Sequence, residues 1–366
     1  MLDTLDAAAV RRWCGGGLAA LRTHQHEIDE LNVYPVPDGD TGTNLVLTLA
    51  AAHQALLPDP PEQAASLGQV LHQMARGALL GARGNSGVIV SQILRAMADT
   101  LAVPPVARGR ELAAALRTAT DAAYAAVANP VEGTVLSVLA AAAEAADRLG
   151  SDDVLAVAEA AASAAAQALA RTPSQLPALA RAGVVDAGGR GLCVLLDALV
   201  EAVGGVAVTG APSRTADRVA GVGHRAVDAD HGQPAGPARP VARECGSVEF
   251  AYEVQYLLDA EPDAVQVLRR TLGALGDSLV VVGTGDGSPP TWNVHVHVDD
   301  IGAAIEAGVQ AGRPYRIVVT RFADQQGDAG GPDPAPTTPR VPAAGPAQAV
   351  DPHPASGAPV DLDARA

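Results

Sequence analysis

The segment NVYPVPDGDTGTN, residues 32–44, is the stretch that decides the fold of the first half of the chain. Two carboxylates, Asp38 and Asp40, bracket a glycine, and two threonines follow just before an apolar run. Carboxylate oxygens at positions i and i+2 can converge on one hard cation such as Mg²⁺. Gly39 and Gly42 permit backbone conformations that admit a phosphate. The segment predicts a metal- and phosphate-binding loop at a helix N-terminus, and an ordinary Asp/Gly turn that caps a helix is the alternative.

Around this segment, apolar residues recur at helical spacing and alanine is abundant, which favours helices. Prolines and glycines mark the breaks between the helical stretches. We therefore expect an all-α domain over residues 1–203. Its helices are predicted at about residues 3–24, 44–57, 63–80, 87–102, 109–127, 133–149, 151–171, 175–182 and 190–203.

The second half of the chain changes character twice. Residues 204–244 are rich in glycine, proline and small residues, which predicts a flexible linker. Residues 245–322 alternate between strand and helix patterns in the order β-α-β-β-α-β, which predicts a small α+β domain of the ferredoxin-like plan. Residues 323–366 carry proline, alanine, glycine and aspartate without periodicity, which predicts a disordered tail.

The composition excludes several classes of function. All 25 basic residues are arginines, and with 41 acidic residues the net charge is −16. A chain without lysine cannot be a P-loop NTPase, a protein kinase or a pyridoxal enzyme of standard form. An acidic chain with scattered arginines does not suit nucleic acid. Three widely separated cysteines predict a reducing, cytoplasmic location, and the alanine-rich stretches are interrupted by charges, so no integral membrane association is expected.

Three further glycine-rich segments with polar residues precede predicted helices. They are GARGNSG at 81–87, EGT at 132–134 and AGVVDAGGRG at 182–191. Each by itself is also compatible with a plain connection between helices. Backbone amides at helix N-termini bind anions, so all four segments, placed at one rim of a helical barrel, would surround a single ligand.

Together these motifs closely resemble the dihydroxyacetone kinase L-subunit family, and more specifically the kinase subunit of bacterial fatty acid kinase. The resemblance covers residues 1–203 and continues through 245–322, but not the tail. It implies an antiparallel helical barrel that binds ATP and two Mg²⁺ at one end. The implied metal ligands are Asp38, Asp40 and Asn32, the last standing near the place of a third acidic residue. The implied nucleotide contacts are Thr41, Gly42, Thr43, Asn44, Gly84, Asn85, Ser86, Gly87, Gly133, Thr134, Asp186, Gly188 and Gly189.

The resemblance implies transfer of the γ-phosphate of ATP to a fatty acid carboxylate that a binding protein presents. Asp38 and Asp40 would act through the metals, and Arg190 is the predicted catalytic cation, with Arg83 as the alternative. Two other functions stay open: a dihydroxyacetone kinase-like phosphotransferase for a small hydroxy compound, and a non-catalytic, ATP-binding regulatory protein. Kinase subunits of this type carry a further C-terminal domain for the lipid-binding partner, so we expect docking elsewhere, a module from another chain, or a different acceptor.

The predicted α+β domain contains a second candidate site. His295 and His297 lie two residues apart on a predicted strand and therefore share one face. In the fatty acid kinase resemblance, this pair and a cysteine form a zinc site, and Glu253 stands here where the cysteine would fall. Glutamate and two histidines can bind Zn²⁺; ordinary surface or interface histidines are the alternative. The resemblance also implies a homodimer through this domain.

Overall fold

The computed structural model describes residues 3–57, 65–103, 107–205 and 250–326. All of them belong to one compact unit, Met1–Gly327. The predicted linker falls almost entirely outside the described residues, as does the predicted tail beyond residue 326. The two predictions of flexibility and disorder therefore remain predictions.

The N-terminal part is helical, as predicted. Its described helices are α1 (Ala7–Glu30), α2 (Thr41–Ala55), α3 (Leu67–Gly81), α4 (Gly84–Leu101), α5 (Gly109–Ala126), α6 (Val135–Leu149), α7 (Val154–Gln175), α8 (Pro177–Ala182) and α9 (Ala187–Gly204). From α1 to α7, each helix packs against the next. Helix α9 packs against both α7 and α1, which closes the ring. The expected helical barrel is confirmed.

Small side chains allow the helices of this ring to approach closely. Helix α7 buries Ala158, Ala161, Ala165 and Ala168 in the core. Among the described residues, only α7 is long and apolar enough to cross a membrane, and half of its apolar window is buried inside the protein. The core helix of a helical domain has the same composition, so the alanine-rich sequence of α7 is accounted for by packing.

The end of α1 is the clearest difference from the predicted helix bounds. The helix was predicted to end at about residue 24, whereas the structure continues it to Glu30. No glycine or proline interrupts residues 24–30, and Ile28 continues the buried stripe of the helix. The additional turns bring Asp29 to the loop that carries Asp38 and Asp40.

The C-terminal described part is an antiparallel sheet with two helices. Its elements are β1 (Tyr252–Asp259), α10 (Pro262–Leu275), β2 (Gly276–Gly287), β3 (Pro290–Val298), α11 (Ile301–Ala311) and β4 (Arg313–Arg321), followed by a 3₁₀ turn (Phe322–Gln326). The strand order is β2-β3-β1-β4. This topology confirms the predicted β-α-β-β-α-β arrangement. Apolar side chains such as Val254, Tyr256 and Val296 pack on one face with residues of α10 and α11.

The other face of the sheet packs on the helical ring and is partly polar. The Nε2 of Gln255 donates to the carbonyl oxygen of Ala82 at 2.8 Å, and Nδ2 of Asn293 donates to that of Leu79 at 3.1 Å. These carbonyls end α3, where helical hydrogen-bond partners run out. Val280 and Val282 of β2 complete the contact in a small apolar cluster with the helices. The sheet face therefore satisfies the end of a helix in the other part of the molecule.

We predict that Gln255→Ala lowers the free energy of unfolding by about 1–3 kcal/mol, because the buried carbonyl of Ala82 would lose its donor. Chemical denaturation followed by circular dichroism measures this change. The matched control is Gln167→Ala, which removes the same side chain from the exposed face of α7 and should change stability by less than about 0.5 kcal/mol. Equal effects of the two substitutions would contradict the prediction.

Candidate functional site

The loop between α1 and α2 places Asp38 and Asp40 side by side in a cavity. Gly39 has a φ of +70°, which an L side chain rarely adopts, and the turn around it brings the two carboxyl groups into hydrogen-bonding contact. The amide nitrogen of Asn32 donates to Oδ1 of Asp38. Burial and the neighbouring carboxylate raise the pKa of Asp38 to about 8, and burial also raises the pKa of Asp40.

The N-terminus of α4 forms another wall of this cavity. Gly84, Asn85 and Ser86 lie against Asn32, Asp38, Asp40, Thr41 and Asn44. The first amides of a helix lack helical acceptors, so this wall can bind an anion. The Oδ1 atom of Asn85 is buried without a hydrogen-bond partner among the described residues. Two of the four predicted glycine-rich segments thus meet around one small space.

A larger cleft of about 390 Å³ adjoins the cavity and shares Thr41, Asn85 and Ser86 with it. Thr134 and Asp186, the N-cap residues of α6 and α9, line this cleft together with Gly188. Apolar side chains form much of the remaining wall: Ile89, Val127, Val131, Val135, Leu136, Leu279 and Val280. Residues from all four glycine-rich segments therefore border one continuous space.

The position of Asp186 shows why its carboxyl group is held so firmly. Its side chain accepts a hydrogen bond of 2.6 Å from the backbone N–H of Gly189, and its own N–H donates to Oγ1 of Thr172 at 3.1 Å. Burial raises the pKa of Asp186 to about 6. An acidic N-cap of this kind fixes the start of α9 at the cleft.

Several residues predicted to contact the nucleotide instead hold helices together. The backbone N–H of Thr43 donates to Oδ1 of Asp29 at 3.0 Å, and its hydroxyl donates to Oδ2 at 2.9 Å. A Cβ at Gly42 would collide with the carbonyl oxygen of Gln25. Asp29 was not among the predicted site residues, because α1 was predicted to end before it. Asp29, Thr43 and Gly42 tie the start of α2 to α1.

Three more of the predicted glycines have a packing role. A Cβ at Gly87 would collide with Oγ1 of Thr48, and one at Gly189 would press on Val138. Gly133 has a φ of +82° and lies against Leu176. None of these three glycines is among the residues that line the cavity or the cleft. The structure therefore assigns them to close approach of helices and to turn geometry, and not to the phosphate contact expected of them.

The structure places Arg190 away from both spaces. Its side chain has no exposed area, and its Nε lies 2.7 Å from Oε1 of Glu27 on α1. A second nitrogen lies 3.2 Å from Oε2. This ion pair corrects the prediction of Arg190 as the catalytic cation. Arg83 has the better position, since it is exposed, directly precedes α4 and lowers the pKa of Glu253 by its charge.

Glu253, His295 and His297 line the same cavity as Asp38 and Asp40. The histidine pair was predicted as a separate site, and the docking of the sheet on the ring makes the two sites one. One potential ligand atom from each of the three residues lies within 4.8 Å of the others.

The three side chains of this cluster are buried next to one another. The Nε2 atoms of His295 and His297 are 3.1 Å apart, and Nδ1 of His295 is 3.9 Å from Oε1 of Glu253. Burial raises the pKa of Glu253 to about 7 and lowers that of His295. These shifts favour neutral groups as long as no cation is bound.

Tyr34 and Asp277 border the larger cleft and were not predicted. Burial and the charges of Asp186 and Asp277 raise the pKa of Tyr34. Tyr34 lies within the segment of residues 32–44, whereas Asp277 precedes an apolar strand and shows no motif. No local signal could have found Asp277, because its place depends on the docking of β2.

Comparison with known protein families agrees with this division of the chain. Residues 35–201 match the DAK2 domain. Residues 249–329 match the middle domain of the FakA-like family of fatty acid kinases. The first match contains the glycine-rich segments, and the second contains the Glu253, His295 and His297 cluster.

Individual relatives resemble most of this chain. Protein YloV of Bacillus subtilis is 31% identical over 335 residues, which are 88% of this chain and 57% of that protein. An uncharacterized protein of Staphylococcus saprophyticus is 30% identical, over 89% of this chain and 56% of that protein. The chain thus spans a little over half the length of these relatives.

Among solved structures, the dihydroxyacetone kinase of C. freundii matches 55% of this chain and 35% of its own, with 23% identity and a TM-score of 0.40. The family matches, together with the helical ring and the docked sheet, identify the architecture: this chain consists of a DAK2 domain followed by a middle domain of the FakA-like, fatty acid kinase type.

Proposed function

We propose that this protein is an ATP- and Mg²⁺-dependent kinase that phosphorylates a fatty acid carboxylate presented by a binding protein. The observation that carries the proposal is the cavity shared by Asp38 and Asp40 with the N-terminus of α4, next to a cleft of about 390 Å³. The kinase character agrees with the two family matches. The fatty acid, the partner protein and the cytoplasmic location remain proposals.

The residues of the cavity fit Mg²⁺. Two buried carboxyl groups in contact raise each other's pKa because their negative charges repel, and a divalent cation removes that repulsion. Oxygen ligands from Asp38 and Asp40 are the type that Mg²⁺ prefers, and Asn32 offers an amide. Bound Mg²⁺ would neutralise charge on the phosphates, in the two-metal manner if two ions bind.

We assign the nucleotide to the larger cleft. Its apolar walls suit the base, and Thr134, Asp186 and Gly188 lie at the starts of α6 and α9. The free amides of α4 at Asn85 and Ser86 then face the phosphates, as at other helix N-termini that bind anions. Arg83 supplies a cation beside the cavity. This division explains how a chain without lysine could hold a triphosphate.

The proposed reaction needs no general base. A fatty acid carboxylate is ionised at neutral pH, and its oxygen attacks the γ-phosphorus directly. The bond between that phosphorus and the β–γ bridging oxygen breaks, so the products are an acyl phosphate and ADP. The residues of the cavity act by positioning and by neutralising charge, which supply most of the catalysis in phosphoryl transfer.

We also propose that Glu253, His295 and His297 bind Zn²⁺. Two imidazoles and a carboxylate are a common zinc donor set, and the Nδ1 atoms of both histidines are buried without hydrogen-bond partners among the described residues. Bound Zn²⁺ would add a fixed positive charge to the wall opposite Asp38 and Asp40. A homodimer through the sheet domain remains part of this proposal.

The reaction is tested by ADP release with Mg²⁺, ATP and a binding protein loaded with fatty acid. Asp40→Asn should lower turnover at least about 100-fold, because metal binding supplies several kcal/mol of charge stabilisation. Asp121→Asn, an exposed change on α5, is the control and should have no effect. Turnover of dihydroxyacetone instead would replace the acceptor, and ATP binding without turnover of any acceptor would favour the regulatory function.

We predict that Asp38→Asn stabilises the metal-free protein. Since the pKa of Asp38 rises from 3.8 to about 8 on folding, the folded state binds a proton that the unfolded state lacks. Stability therefore falls as the pH rises from about 4 to about 8, and the amide variant escapes this loss. Thermal unfolding in EDTA at pH 8 should give a higher Tm for Asp38→Asn than for wild type.

The same measurement with Mg²⁺ reports on the metal site. Mg²⁺ should raise the Tm of the wild type and of Asp121→Asn by mass action, but not that of Asp38→Asn. A variant that is less stable than wild type in EDTA and responds to Mg²⁺ equally would contradict the assignment of Asp38.

Zinc is tested by metal analysis of the purified chain. His295→Ala should lose most of the bound zinc, because one of three ligands is removed. His72→Ala, an exposed change on α3, is the control and should keep its zinc. Equal zinc content in the two variants would refute the proposed site.

A further inference from the structure

Strand β2 contains a β-bulge where it runs beside the two histidines of β3. Asp277 pairs with His297, but the next pair is Val280 with His295, so β2 has one residue more than β3 in this interval. Ser278 inside the bulge has a φ of +52°, which is uncommon for a residue other than glycine. A Cβ at Gly276 would collide with the carbonyl oxygen of His297. The two strands are unusually close at this point.

The bulge decides which side chains of β2 face the helical ring. In a regular strand, residues alternate between the two faces, so Asp277 and Val280 would point in opposite directions. The additional residue lets both face the ring. Val280 then joins the apolar contact with the helices, and the carboxylate of Asp277 lies beside the ring of His297.

Asp277 and His297 each contain a buried atom without a hydrogen-bond partner among the described residues. These atoms are Oδ1 of Asp277 and Nδ1 of His297, and they lie 3.4 Å apart. Burial of an unpaired polar atom is costly, and each of these two is the complement of the other. On its remaining sides, the imidazole of His297 contacts His295 and Phe322 at ring-centroid distances of 5.0 and 4.9 Å.

We propose that Asp277 is a positioning residue for His297: its carboxylate accepts a hydrogen bond from Nδ1–H and holds Nε2, without a proton, toward His295 and Glu253. Ligating histidines commonly donate their second N–H to a carboxylate, which fixes both tautomer and ring orientation. Nε2 of His297 lies 3.1 Å from Nε2 of His295, so both nitrogens face the same point. The inference rests on the zinc site proposed above, but not on the kinase reaction.

The first test measures zinc affinity of the full chain without nucleotide, by competition with a chromogenic chelator. Asp277→Ala should weaken zinc binding by about 10–100-fold. Asp277→Asn should weaken it clearly less, because the amide oxygen still accepts from Nδ1–H. Omitting nucleotide matters, since the side chain of Asp277 is 41% exposed and also borders the cleft.

The matched control is Asp286→Asn, which removes a carboxylate from the same strand. Asp286 is exposed and pairs with Arg76 of α3 at 2.9 Å, so this variant tests both the loss of charge and a looser contact between sheet and ring. Its zinc affinity should equal that of wild type. A loss in Asp286→Asn as large as in Asp277→Ala would overturn the proposal. So would an equal loss in Asp277→Asn and Asp277→Ala, which would make the carboxylate a ligand itself.

A second test needs neither metal nor activity. Long-range ¹H–¹⁵N NMR correlations of the histidine rings in the metal-free protein report which nitrogen carries the proton. His297 should have its proton on Nδ1 in wild type, and Asp277→Ala should shift it toward Nε2. A proton on Nε2 in wild type would overturn the proposal. If the chain shows the expected tautomer and zinc affinities but no turnover with any acceptor, only the kinase proposal fails.

Discussion

The packing of a partly polar sheet face on the end of the helical ring is the contact on which both candidate spaces depend. Buried polar groups are costly unless they are hydrogen-bonded, and here Gln255 and Asn293 satisfy the last carbonyls of α3. Because side chains alternate along a strand, this docking also turns Glu253, His295 and His297 to the ring. The amides that hold the sheet in place thereby aim the candidate zinc ligands at Asp38 and Asp40.

The resulting cavity trades stability for chemistry. Its carboxyl groups are buried close together, and their raised pKa values show that the metal-free site disfavours the charges that it needs for binding. A bound cation would remove that penalty, so folding and metal binding are coupled. Without lysine in the chain, positive charge at this place can come only from metals, from arginine, from protonated histidine or from helix N-termini.

Much of the fold could be predicted from local patterns. Helical periodicity predicted every described helix of the ring, and strict alternation in WNVHVHV predicted β3. The glycines were harder to interpret, because a sequence shows where a side chain is missing but not what lies opposite. Gly42 and Gly87 make room for neighbouring helices, although both lie in motifs that suggest phosphate binding. The end of α1 was misjudged, and with it the role of Asp29.

The sequence by itself determined the element types, the glycine-rich segments at helix N-termini and the exclusion of lysine-dependent enzymes, because these follow from composition and short-range spacing. Only the tertiary structure decided that the aspartates and the histidine cluster share one cavity, that Arg190 pairs with Glu27, and that a bulge brings Asp277 to His297. The contact of Leu79 with Asn293 spans 214 residues. Local periodicity specifies which face of a strand is buried, but not which distant helix covers it.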